Sequence, residues 1–295
     1  MMSDQFIPKN DNILLGAALF SSAMLLIPGL DAIAKYLAQD MSPLYVSWAR
    51  YLAAAIMIIP FGIRKFGTGI FPKRNLKSHF MRTFFIVVAM LFFFVSLSTT
   101  PLATASAVTM IAPIVATMAA VYLLGERFTW PKLAALVMGF IGAMIIINPT
   151  VEIQIGTIFA ALTGLFYGMY IVTTRMTAKQ SDPLKTLTFQ CVVGALMLTP
   201  LAIYAWDTPT QTEFLLILAM GVVSLTAHGL TLLAFQYAQT STLSPLVYLE
   251  VVSAVFLGYI IFADVPTIGF WIGAAFIITG GLSATMGRAK SKPLR

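Results

Sequence analysis

The sequence predicts an all-α integral membrane protein of ten transmembrane helices, arranged as two inverted five-helix repeats. Three observations lead there. The chain is 59% hydrophobic and only 10% charged, with a mean hydropathy of +0.90, whereas a soluble domain carries about 25% charged residues. Apolar runs of the length that crosses about 30 Å of hydrocarbon recur along it. The second half also repeats landmarks of the first at a near-constant offset.

In chain order, the first five runs fall at about 13–39, 44–63, 80–99, 103–124 and 131–147, and the second five at about 156–177, 184–206, 212–237, 244–263 and 267–286. Short polar or proline-bearing turns separate them, among them Asp40–Pro43, Thr99–Pro101, Gln180–Pro183 and Asp264–Pro266. The first run is too long for a signal-peptide core and has a match at the sixth, so it is read as a helix of the mature protein. The expected organisation is a cytoplasmic segment 1–12, a first repeat 13–147, a periplasmic linker 148–155, an inverted second repeat 156–286 and a basic cytoplasmic tail 287–295.

Charge placement sets the expected orientation. With the N-terminus inside, 16 of the 18 basic residues fall in or beside inner segments; Lys35 and Arg50 are the exceptions. That bias predicts both termini in the cytoplasm of a bacterial inner (plasma) membrane. The formal charge of +7 is therefore read as a topology signal, and no nucleic-acid partner is expected.

The repeat is visible residue by residue. A shift of 140 places Gly16 on Gly156, Lys35 on Arg175, Pro43 on Pro183 and Pro60 on Pro200; a shift of 138 places Ser106 on Ser244, Glu126 on Asp264, Thr129 on Thr267 and Gly142 on Gly280. Each half has an odd number of helices, so the second must insert upside down.

Several function classes lack their signatures. There is no phosphate-binding loop, no H-E-x-x-H and no G-x-S-x-G, and the single cysteine, Cys191, excludes a disulfide framework or cysteine cluster. Neither an enzyme, a metal site nor a cofactor is expected.

The run A-S-A-V-T-M-I-A-P-I-V (Ala105–Val115) with L-L-G-E-R-F-T (Leu123–Thr129) and G-F-I-G-A (Gly139–Ala143) is similar to the drug/metabolite transporter superfamily. S-P-L-V-Y-L-E (Ser244–Glu250), F-A-D-V-P-T and I-T-G-G-L carry the likeness through the second half. The chain resembles EamA-type ten-helix exporters and, within them, the YddG-like amino-acid exporters. Val251 stands where the family has a second proline, and Asp264 where it has glutamate. The resemblance implies a central cavity between the halves, lined chiefly by helices 3, 4, 8 and 9 with help from 1, 2, 6 and 7.

Within that frame, residues that are costly in hydrocarbon mark candidate sites. His228 and Glu250 lie about 14 Å and 9 Å from the inner ends of helices 8 and 9, by a rise of about 1.5 Å per residue. They can share a layer, where they would carry protons, hold a substrate ammonium, or serve only as bonded structural groups. Tyr248, Ser244 and Phe93 complete the cavity candidates. Asp31 and Lys35, four apart on helix 1, can pair; with Arg50 they form an expected outer charged cluster, structural or gating. Pro28-Gly29 and Pro113 interrupt backbone ladders and are candidate hinges. Gly164-x-x-x-Gly168 and Gly269-x-x-x-Gly273 are read as packing within a monomer. The first half places Met90, Met110 and Ala112 where the second has His228, Tyr248 and Glu250, so the chemistry concentrates on helices 8 and 9.

The expected function is secondary export of small metabolites, with amino acids including apolar or aromatic ones leading, by alternating access and with possible proton coupling. A passive facilitator, an exporter of hydrophobic organic cations and, less favoured, an intramembrane lipid enzyme are the alternatives. The expected partners are a small-molecule substrate and the lipid bilayer.

Overall fold

A chain in hydrocarbon must close its backbone hydrogen bonds within each segment, and helices dominate the structure accordingly. The computed structural model describes residues 12–124, 130–147, 154–177, 181–237, 243, 246–247 and 249–286. Its helices are α1 (Ile13–Leu37), α2 (Pro43–Phe66), α3 (Leu76–Leu97), α4 (Leu102–Thr109), α5 (Ala112–Leu124), α6 (Trp130–Ile147), α7 (Ile155–Thr177), α8 (Pro183–Tyr204), α9 (Gln211–Tyr237), α10 (Leu249–Phe262) and α11 (Ile268–Met286). The starts of α2 and α8 show the repeat in local chemistry. The side chains of Ser42 and Asp182 accept from the amides of Leu44 and Leu184, each followed by a proline in the first turn, where a missing N–H costs nothing.

These eleven elements make ten spans, because α4 and α5 are two pieces of one. The sequence predicts a single helix over 103–124; the structure breaks it at Met110–Ile111, just before Pro113. Proline has no N–H to donate to the carbonyl four residues back, that of Thr109. Pro28 behaves differently. The helix α1 runs unbroken through Pro28 and Gly29, so the expected interruption there amounts to one missing hydrogen bond. Six helices are long and apolar enough to cross a membrane alone, and the other spans contain shorter apolar segments.

The packing is symmetric under exchange of the halves. α3 lies on α7 as α1 lies on α9; α7 holds α5 as α1 holds α10; α2 packs on its own counterpart α8, and α6 on α11. Two close approaches fix this arrangement. A Cβ on Gly142 would fall 2.5 Å from the Gly273 carbonyl, and one on Gly273 equally close to that of Gly142; only bare backbones allow α6 and α11 to meet so tightly. On α7, Gly164 and Gly168 receive Ile111, Val115 and the carbonyls of Thr109 and Ala112, so this small-residue stripe seats the broken helix within one chain. The α6–α11 pair shows Phe140 and Trp271 to the outside, leaving the other eight spans around the centre.

Candidate functional site

Those eight spans enclose a cavity of about 120 Å³. Each contributes: Asp31 from α1, Arg50 from α2, Phe93 from α3, Thr109 from α4, Tyr167 from α7, Gln190 from α8, His228 from α9 and Glu250 from α10. Ile27, Leu30, Ile86 and Met90 supply apolar wall. Among the described residues, helices α6 and α11 contribute nothing to it, in line with the plan the resemblance implies. The break in α4–α5 lies beside Thr109, so the irregular backbone occurs at the cavity wall, where a membrane protein can tolerate it.

The polar groups are unevenly satisfied. Arg50 is 7% exposed, and among the described residues its guanidinium makes one bond, Nη2 to the Ser224 hydroxyl at 3.4 Å, while Nε and Nη1 are buried without partners. Its charge lies near the rings of Tyr51 and Phe94, at 5.5 and 5.9 Å from their centroids. The Ser224 carbonyl accepts from Nδ1 of His228 at 2.8 Å, which fixes the ring and leaves Nε2 as its second polar atom. Asp31 is 3% exposed and makes no ion pair among the described residues. One guanidinium with spare donors thus shares a chamber with two carboxylates and an anchored imidazole. Unpaired buried donors are costly, and a planar fork of this kind suits a carboxylate or similar oxyanion.

Call the face where α1 begins the N-terminal face. At the opposite face a contact joins the halves. Lys35 Nζ bonds Asp264 Oδ2 at 2.8 Å and the Thr100 carbonyl at 3.2 Å, and the same carboxylate oxygen accepts from the Leu102 amide at 3.3 Å. The ammonium also sits 4.7 Å from the centre of the Phe262 ring.

This arrangement corrects the expected outer cluster. Asp31 and Lys35 share a helical face, but Lys35 reaches out to Asp264, and Asp31 turns to the cavity. Arg50 joins neither Lys35 nor the surface; it lines the centre. His228, Glu250 and Phe93 all face the cavity. Ser244 and Tyr248 lie outside the described residues, as does the side chain of Pro113. Sequence reasoning missed Thr109, Thr163, Gln190 and Ser224 as cavity groups. The available signal was periodicity: Thr163 stands one turn from Tyr167, and Ser224 one turn from His228. Among the described residues, no three His, Cys, Asp or Glu side chains converge as a metal site requires.

Comparison with known proteins agrees with this architecture. A model of the EamA-like transporter family matches residues 14–148 and again residues 154–286. An S-adenosylmethionine uptake transporter of Rickettsia conorii is 26% identical over 84% of this chain and 84% of its own length. A riboflavin transporter of Vibrio cholerae is 26% identical over 79% of each chain. A solved crystal structure, 18% identical, superposes with a TM-score of 0.67 over 94% of this chain and 99% of the other; at that identity it speaks for the fold alone.

Proposed function

This chain belongs to the EamA-like transporter family and is a small-molecule transporter; we propose that its cargo is a zwitterion carrying an α-amino-acid group, moved by alternating access through the central cavity. The supporting observation is Arg50, a buried guanidinium with two unpartnered nitrogens, in one chamber with Asp31 and Glu250. The cargo's carboxylate would take the guanidinium fork, and its ammonium the carboxylates. Leu30, Met90 and Phe93 would receive an apolar side chain. Free amino acids fit this pattern. So does S-adenosylmethionine, named for the Rickettsia relatives, because its sulfonium adds a second positive charge for the second carboxylate. Riboflavin, named for other relatives, has no carboxylate to meet Arg50 and is the poorer match.

Direction follows the gradients across a secondary carrier. The export suggested by the sequence resemblance and the uptake named for the relatives call for the same site. The inverted halves, joined at one face by the Lys35–Asp264 ion pair, support alternating access over a fixed pore.

Proteoliposomes offered labelled S-adenosylmethionine, phenylalanine, leucine and riboflavin test the reading. Saturable counterflow is expected for at least one amino-acid-bearing probe and its loss in Arg50→Gln. Saturable flux of riboflavin only would overturn the cargo class, and flux indifferent to substrate on the far side would replace the carrier with a pore.

A further inference from the structure

The cavity does not exhaust the buried polar groups of this molecule. On α3 its lining residues are Ile86, Ala89, Met90 and Phe93. Continued toward the N-terminal face at helical spacing, that stripe passes through Arg82 and then His79. Arg82 sits one turn, about 6 Å, below Ile86. It is 7% exposed, and His79 is fully buried. Among the described residues, Nη1 of Arg82 and both ring nitrogens of His79 have no hydrogen-bond partner.

The facing helix has a matching stripe. Along α7 the cavity residues Thr163 and Tyr167 continue, again at helical spacing, into Tyr170 and Thr174. The rings of Tyr167 and Tyr170 stack with centroids 5.6 Å apart and planes 18° from parallel. Arg82 donates through Nη2 to the Tyr170 hydroxyl at 2.8 Å and through Nε to the Thr174 hydroxyl at 2.9 Å. Two neutral hydroxyls therefore aim the guanidinium and leave one nitrogen of the fork open, with no carboxylate paired to it among the described residues. A purely structural arginine this deep would be expected to use its donors or pair its charge.

We propose that Arg82 and His79 form a second anion site, an inner station that takes the cargo's carboxylate between Arg50 and the N-terminal face. This rests on the reading that the cargo bears a carboxylate. The two arginines lie at successive levels of one path, with the stacked tyrosines as its wall. A carboxylate leaving Arg50 would otherwise cross desolvated space unpaired; the inner station lowers that barrier for passage on one side only.

That one-sidedness is the test. In oriented membrane vesicles, Arg82→Gln is expected to raise the KM for S-adenosylmethionine presented at the N-terminal face about tenfold, the loss of one charge-assisted hydrogen bond, and to leave the other face within about twofold. Decarboxylated S-adenosylmethionine should show no such step. Equal KM changes at both faces, or equal changes for the decarboxylated probe, would make Arg82 structural and overturn the site. A second arm needs no transport: excess benzoate should raise the unfolding midpoint of the purified Arg50→Gln protein, and not that of Arg50→Gln/Arg82→Gln. If the double variant does not fold, His79→Gln replaces Arg82→Gln. Absence of benzoate stabilisation in Arg50→Gln overturns the inner station. Stabilisation there, together with no flux of any amino-acid-bearing probe through the unsubstituted protein, supports the station while rejecting the cargo class.

Discussion

At the residue scale, Arg50 and the two carboxylates decide what the cavity can accept. A lysine at 50 keeps the charge but loses the planar fork. Arg50→Lys should therefore keep measurable exchange while weakening cargo binding by about 1.5–3 kcal/mol, roughly 10- to 150-fold in affinity, read as the concentration for half-maximal counterflow. An affinity unchanged in Arg50→Lys would mean that charge alone, without bidentate geometry, holds the cargo. Glu250 separates two mechanisms. If it only carries a proton, Glu250→Gln abolishes substrate-dependent pH change inside vesicles and spares exchange. Loss of exchange as well, the expected result, assigns Glu250 to the ammonium. The sequence showed that Asp31, Arg50, His228 and Glu250 were costly residues needing a purpose. It could not show their grouping. The i,i+4 rule correctly puts Asp31 and Lys35 on one face, but Lys35 finds its partner 229 positions away in Asp264, a choice made by tertiary packing and invisible to local spacing.

At the element scale, the broken span α4–α5 is the least regular piece of the wall. Pro113 marked it in the sequence, but the position of the break depends on α7, whose Gly164 and Gly168 let the irregular turn and the following helix sit close. Restoring a backbone donor should straighten it. Pro113→Ala is expected to keep cargo affinity and slow exchange several-fold, since the span loses a preferred place to bend; a variant as fast as the original would show that the break is static. The α7 stripe gives a stability prediction. A Cβ on Gly168 would lie 2.6 Å from that of Val115, so Gly168→Leu should push α5 from α7 and cost about 1–3 kcal/mol. The readout is thermal inactivation in detergent, with Gly29→Leu, where a Cβ meets nothing within 4 Å, as the mild comparison.

At the scale of the whole molecule, the pseudo-twofold packing makes any device at one face imply a device at the other. The ion pair of Lys35 with Asp264 joins the end of the first span to the end of the ninth. Under the sequence repeat, Lys35 corresponds to Arg175 and Asp264 to Glu126; Glu126 and the Arg175 side chain lie outside the described residues, so the sequence carries this step. Alternating access requires the two faces to take turns, and the repeat offers Arg175 and Glu126 as the counterpart charges for that exchange. The Lys35–Asp264 pair is partly exposed, at 13% and 21%, so its loss should cost about 1–2 kcal/mol, between the surface and buried limits. That is roughly a tenfold shift between conformers. Cys191, the single cysteine, lines a small hollow with Arg50, Gln190 and His228 and can report the shift. Lys35→Ala should speed its labelling by a membrane-impermeant maleimide from the face that carries Lys35. Arg175→Ala should speed it from the other face, and the charge swap Lys35→Asp with Asp264→Lys should return the first rate toward that of the original chain. If neither single change makes labelling sided, the charge pairs hold helices in place without setting which face is open, and the repeat is a scaffold whose gates lie elsewhere.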